Sequence, residues 1–335
     1  MAVAAVNGIE LNYKLEGDGE ETIVLINGLA DDLETWVLQI DDFLAAGYRV
    51  LRFDNRGVGA SSKPAGPYSS KMLADDAKAL VDSLGISGFH LMGVSMGGMI
   101  AQEYALSFPQ DLRSVTFGCT YAAPGPFCSR MFAMWADMVP VLGVPFVMRD
   151  VTLWAFTVPF FEQRAEDLDE FETAMRYMDQ PVHAYLAQLA VIQQHDTTSR
   201  LGQITVPTLV LAGEQDILIP VSLSRQLHEQ IPRSQWATTR GGHACLWEYP
   251  AEFNQTFLEF IKQHGRGAHC RPDRRRRDLR RRPRHGQARG ARTGTCPAGG
   301  RREPRYRPTP HQRLNETAGT PGSRFDSGTG PIRRA

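Results

Sequence analysis

"FHLMGVSMGGMIAQEYAL", Phe89 to Leu106, runs from an apolar segment straight into a helical pattern, with Gly93, Gly97 and Gly98 crowded around Ser95. Each glycine costs backbone entropy that an alanine would not, so the cluster needs a steric reason. A sharp strand-to-helix turn, at which neighbouring Cβ atoms would clash, supplies one. Gly93-Val94-Ser95-Met96-Gly97 fits G-x-S-x-G with an apolar strand before it and a helix after it, the setting its chemistry requires. In that setting Ser95 is the candidate nucleophile. The N–H of Met96, at the start of the helix, is a candidate donor to a developing oxyanion.

The segments around this turn repeat its pattern. "TIVLING" (Thr22–Gly28), "YRVLRFDN" (Tyr48–Asn55), "LRSVTFGCT" (Leu112–Thr120) and "TLVLAGEQD" (Thr208–Asp216) read as buried strands, like Phe89–Ser95. "SKMLADDAKALVDSLG" (Ser70–Gly85) puts Met72, Leu73, Ala77, Leu80, Val81 and Leu84 on one helical face. A second helix is expected over Met99–Pro109 and a last one over Phe253–His264. "GIELNYKLEG" alternates as an antiparallel edge strand would. Strands separated by helices predict an α/β fold with a mostly parallel central sheet flanked by helices. The strand signal disappears from Tyr121 to about Ile204, where Met, Phe and Trp accumulate, so an all-helical cap inserted over the carboxyl ends of the strands is expected. The predicted organisation is a core of residues 1–120 and 205–264, a cap of 121–204, and a separate segment, 265–335.

A serine hydroxyl needs a base near neutral pH, usually a histidine held by a carboxylate. Of nine histidines, His264, His269, His285 and His311 lie at or beyond the end of the folded pattern. His90 sits within a strand, His228 in a surface helix pattern, and His183 and His195 in the cap. His243, in "TTRGGHACLWEYP", follows a short strand-like segment and two glycines and is the candidate base, with His195 as the alternative. Asp216, in "LAGEQDILIP", closes an apolar strand and is the candidate acid, with Glu214 as the alternative. The order Ser…Asp…His agrees with that choice. A second oxyanion donor is expected from Asn27-Gly28-Leu29, where the glycine lets the backbone aim the Leu29 N–H at the site.

The elbow "GVSMGG", the segment "DNRGVGASS" (Asp54–Ser62), "GEQDILIP" and "GGHACLWEYP", in this order, resemble the α/β-hydrolase superfamily over residues 1 to about 264. Within it the chain is most similar to the capped esterases and 3-oxoadipate enol-lactonases. The resemblance implies a triad of Ser95, Asp216 and His243, oxyanion donors at Leu29 and Met96, and neither cofactor nor metal. It also implies that Asp54 and Arg56 brace the loops by ion pairing. Asn27 stands where that group commonly carries histidine.

The implied activity is hydrolysis of a carboxylic ester or lactone through an acyl-enzyme. Thioester or C–C bond hydrolysis, and ligand sensing on the same scaffold, remain alternatives. Trp135, Trp154, Phe156 and Phe160 of the cap are candidate pocket residues for a fairly hydrophobic small molecule. Asp31 and Asp32, just past the oxyanion loop, would repel a multiply anionic one if they point inward. The five cysteines are odd in number and widely spaced, which predicts reduced thiols. With no signal-peptide pattern and no long apolar run, a cytoplasmic protein with no membrane partner is expected.

The formal charge of zero conceals a division: residues 265–335 carry 20 Arg against 5 acidic residues, and residues 1–264 carry a net −15. With Leu279, Tyr306, Leu314, Phe325 and Ile332 as its only large hydrophobes, this segment is expected to be disordered. It lacks the aromatic interleaving of a nucleic-acid binder, and its Arg, Pro, Gly and Ala bias is that of GC-rich DNA read out of frame. Deleting Gly265 to Ala335 is therefore expected to leave melting temperature and ester turnover unchanged. An insoluble or several-fold less active 1–264 protein would show that the segment packs on the body.

Overall fold

The computed structural model describes residues 2–265, and the basic segment from 266 onward lies outside the described residues. The strands are β1 (Ala2–Val6), β2 (Ile9–Glu16), β3 (Thr22–Ile26), β4 (Arg49–Phe53), β5 (Phe89–Val94), β6 (Leu112–Gly118), β7 (Thr208–Gly213) and β8 (Gln235–Thr239). They form one sheet in the order β1-β2-β4-β3-β5-β6-β7-β8. The pairings of β1 with β2 and of β2 with β4 are antiparallel, and all others are parallel. Every residue of β3, β5 and β7 is buried, which explains their unbroken apolar runs: helices cover both faces.

The helices of the sheet layers are α1 (Val37–Ala45), α2 (Ser70–Ser83) and α3 (Met96–Ser107). Between β6 and β7 come α4 (Pro126–Leu142), α5 (Val144–Ala155), α6 (Val158–Gln163), α7 (Ala165–Arg176) and α8 (Val182–Gln194), which make up the inserted cap. α9 (Val221–Gln230), α10 (Cys245–Glu248) and α11 (Pro250–Lys262) complete the chain's described part. One core gathers Leu73, Leu80, Met99 and Tyr104 of α2 and α3 with Phe132, Trp135 and Tyr185 of the cap. A second core gathers Phe43 of α1 with Phe253, Phe257 and Ile261 of α11. α2 begins where Ser69 accepts the Met72 N–H at 3.1 Å, and its apolar face packs as its spacing requires. No helix among the described residues is long and apolar enough to cross a membrane.

The structure corrects the sequence reading at several points. Ile9–Glu16 is not the edge strand; β1 takes that place, and its mostly exposed, small-residue "AVAAV" carries no alternation to reveal it. α3 starts at Met96 rather than Met99, immediately after the elbow serine. The last helix starts at Pro250, and the short α10 intervenes between it and His243.

In register, Gly93 of β5 lies beside Ile26 of β3 and Phe117 of β6. The carboxyl ends of these strands therefore open at one level, beneath the cap. Phe257, fully buried, meets the Phe43 ring at 5.2 Å between centroids. Phe257→Ala is expected to destabilise the fold by about 3–5 kcal/mol, read as a lower urea midpoint at unchanged slope.

Candidate active site

Ser95 joins β5 to α3 with φ 58° and ψ −121°, a conformation that an L-residue adopts only under constraint. Its N–H donates to the Gly118 carbonyl at 2.9 Å, pinning the turn to β6. The glycines are explained by contact. A Cβ on Gly93 would collide with the Gly97 carbonyl, one on Gly97 with the Ile26 carbonyl, and one on Gly98 would lie 2.6 Å from Thr120 Cγ2. The strand, the helix and the neighbouring strands therefore approach too closely for any side chain but hydrogen.

His243 stands in the loop after β8, and its Nδ1 donates to Asp216 Oδ2 at 2.8 Å. The other Asp216 oxygen accepts the Ile219 N–H at 2.8 Å, so the buried carboxylate is fixed at both ends. Ser95 and His243 line one cavity of about 70 Å³, together with Gly28 and Leu29. The two alternatives are occupied elsewhere. Glu214 is exposed and accepts from Thr238 Oγ1 at 3.1 Å. His195 pairs through Nδ1 with Ser70 Oγ at 2.9 Å, and burial pushes its pKa down to about 4, so it stays a neutral core residue.

The histidine loop is stitched to the cap. The Ala244 N–H donates to the Ala155 carbonyl at 2.9 Å. Buried Glu248 accepts the Gly242 N–H at 2.6 Å on one oxygen, and on the other the Thr157 hydroxyl at 2.5 Å. Below them, Cys119 and Cys245 are buried free thiols with sulfurs 3.6 Å apart. Their hydrogen bond, and then burial, hold the Cys119 thiol well above its ordinary pKa. It offers no competing thiolate.

The oxyanion loop is braced from beneath. Asn27 is fully buried and serves as a brace: its Oδ1 accepts the Trp36 indole N–H at 2.6 Å and its Nδ2 donates to the Phe53 carbonyl at 2.9 Å. Arg56 forms an ion pair with Asp76 at 2.5 Å, as expected. Among the described residues Asp54 pairs with no cation; it accepts the Leu33 N–H at 2.7 Å, and the Asn12 amide and Ala60 N–H at 2.8 Å. A network of neutral donors satisfies that buried carboxylate instead.

Residues 21–250 match the family of the alpha/beta hydrolase fold. The chain belongs to the α/β-hydrolase family. It is 30% identical over 252 residues to RutD of Azorhizobium caulinodans, a protein named for carbamate hydrolysis, covering 75% of this chain and 94% of that one. It is 30% identical over 257 residues to 3-oxoadipate enol-lactonase 2 of Acinetobacter baylyi, covering 76% and 94%. Among solved structures, the enol-lactonase of Burkholderia xenovorans superposes with a TM-score of 0.72 at 28% identity, covering 78% of this chain and all of that one.

Against this family frame the cap residues divide. Trp135 and Phe156 line the cavity. Trp154 lies outside the wall, its indole N–H donating to Asp150 at 3.2 Å and its ring against Phe127. Phe160 stacks behind Phe156 at 5.0 Å instead of reaching the cavity. The sequence reading missed Trp247, four residues past His243 and in the wall.

It also missed Gln188, a fully buried amide in the middle of α8. Its Oε1 accepts the N–H of Ala30 at 3.1 Å, and its Nε2 donates to the Arg56 carbonyl at 2.8 Å. Ala30 has φ 62°, so the cap amide holds the oxyanion loop in a left-handed turn. The signal was a lone glutamine within the apolar "AYLAQLAVI". Gln188→Leu is expected to cost about 1–3 kcal/mol, the penalty of leaving a buried N–H unpaired, measured by chemical denaturation, and to lower ester turnover as the loop relaxes.

Proposed function

We propose that Ser95, His243 and Asp216 act as nucleophile, base and orienting acid, with the N–H groups of Leu29 and Met96 as oxyanion donors. The protein is a hydrolase acting on ester or lactone bonds of small hydrophobic molecules. The observation that carries the residue assignment is the 2.8 Å bond from His243 to buried Asp216, in a loop that shares one cavity with the strained Ser95 turn. Accepting from Nδ1–H, Asp216 fixes the imidazole tautomer that leaves Nε2 free to take a proton. Ser95 Oγ attacks the carbonyl carbon as Nε2 removes its proton, and the oxyanion forms against the two backbone donors. The C–O bond then breaks with that proton passing to the leaving alkoxide. Water, deprotonated by the same nitrogen, attacks the acyl-enzyme and releases the acid and Ser95.

The substrate class follows from the wall. Phe132, Trp135, Met148, Phe156 and Trp247 make it soft and aromatic, and among the described residues neither lysine nor arginine lines it. A multiply anionic substrate finds no cationic partner there. On this reading residues 1–120 and 205–264 form the catalytic body, and 121–204 the cap that shapes the acyl or alcohol pocket.

Ser95→Ala is expected to lower hydrolysis of 4-nitrophenyl butyrate by about 10³-fold or more while the melting temperature holds, because the side chain belongs to the site. His243→Ala should lose a comparable factor, and the double variant little more, since the two act as one unit. Near wild-type turnover by His243→Ala protein would overturn the assignment.

A further inference from the structure

Two ionisable side chains line the cavity, and the reaction above uses only His243. The other is Asp31. It lies three residues past Gly28 on the oxyanion loop, and its Oδ2 is 2.7 Å from where a Gly28 Cβ would stand. That same point is 3.5 Å from Ser95 Cβ, so the carboxyl sits one side chain's width from the nucleophile. The Gly28 backbone hydrogen-bonds to it and keeps it turned toward the loop. Among the described residues, neither lysine nor arginine lines the cavity to neutralise it.

Asp31 is half-buried and the rest of the wall is apolar or hydroxyl-bearing, so solvent screens a charge there only in part. The charged groups acting on it are Asp32, its neighbour on the same loop, and His243, from the loop after β8. Asp32 in turn faces Asp54 and Glu34, with Arg52 as the cation beside them. Burial, reinforced by Asp32 and opposed by His243 and the Gly28 backbone, pushes Asp31 up to about 7. A raised carboxyl is neutral below that value and negative above it.

We propose that Asp31 is a specificity-determining residue that reads substrate charge beside the scissile carbonyl, its carboxylate rejecting esters that carry a nearby carboxylate and admitting neutral ones. The inference rests on the Ser95 site described above. It gives the cavity a filter that changes with pH. An anionic ester is tolerated when Asp31 is protonated and excluded when it is ionised, whereas a neutral ester of the same shape is indifferent to its charge.

The test uses methyl hydrogen succinate and methyl pentanoate, near-isosteres that differ in charge, with methanol release as the readout. Both react at the same Ser95 site, so the ratio of their kcat/KM values isolates the filter. In the wild-type protein that ratio should fall about tenfold or more between about pH 5.5 and pH 8.5. In Asp31→Asn it should be flat, and at the alkaline end about tenfold above wild type. Asp31→Ser removes the charge with a smaller side chain and should repeat that result. The ratio of the two esters' dissociation constants, measured by calorimetry on Ser95→Ala protein with and without Asp31→Asn, reads the filter without turnover. A wild-type ratio constant within about twofold, or an Asp31→Asn protein that leaves the alkaline ratio where it was, overturns the proposal. Failure of the wild-type protein to hydrolyse methyl pentanoate, with the binding ratio still responding to Asp31, would instead count against the Ser95 reaction alone.

Discussion

Everything at this site depends on how closely β5 and α3 approach their neighbours. The left-handed turn at Ser95 is costly for a residue with a Cβ and persists only because its surroundings over-determine it. A Cβ on Gly93 would meet the Gly97 backbone, one on Gly97 the Ile26 and Asn27 carbonyls, and the Ser95 N–H is spent on Gly118. Three strands and one helix thus fix a single backbone conformation, and the nucleophile's direction follows from it. A methyl group at either glycine would push α3 off the sheet, so the motif is a packing requirement before it is a chemical one.

The cap completes what the sheet begins. The oxyanion loop also contains a left-handed residue, Ala30, and here the restraint comes from Gln188 of α8 rather than from the sheet. The histidine loop is tied through Glu248 and Ala244 to Thr157 and Ala155, the cap's α5–α6 junction. Two of the three loops that meet over Ser95 are therefore held by cap residues. The cap is a structural partner of the loops that carry the proposed oxyanion donor and base, besides forming much of the pocket wall. A change in cap packing should be felt at the loops in backbone position before it is felt in pocket shape.

What was legible in the sequence was whatever local sterics or a continuous apolar run imposes. The elbow glycines, the all-buried strands β3, β5 and β7 and the helical interruption after β6 each leave such a mark. Asp216 and His243 were readable because each follows a strand-like segment at the level of Ser95. β1 was not, since exposed alanines carry no periodicity. Neither was the division between Trp135 and Trp154. Both are tryptophans on cap helices, both donate to Asp150, and only the crossing of α4 over α5 decides which ring faces the cavity. Asp54 was read as half of an ion pair from the family resemblance, not from its neighbours in sequence. The structure satisfies it with two backbone N–H groups and an amide, which a linear sequence does not display.

The apolar wall ties these observations together electrostatically. Excluding water strengthens the His243–Asp216 bond and would strengthen the pull of the two proposed backbone donors on a developing oxyanion, because fewer solvent dipoles compete. The same exclusion penalises a charge that lacks a cationic partner, and half-buried Asp31 bears part of that penalty when it ionises. Asp216 escapes the penalty by its bonds to His243 and the Ile219 N–H, and Asp54 by its three donors. Asp31 has the Gly28 backbone and no cation in the wall to meet it. An unrelieved carboxyl this near a nucleophile destabilises the negative charge the reaction creates, so a purely catalytic account gives no reason for it. Its chemical sense lies in what it keeps out, and that places substrate selection on the loop that also carries an oxyanion donor.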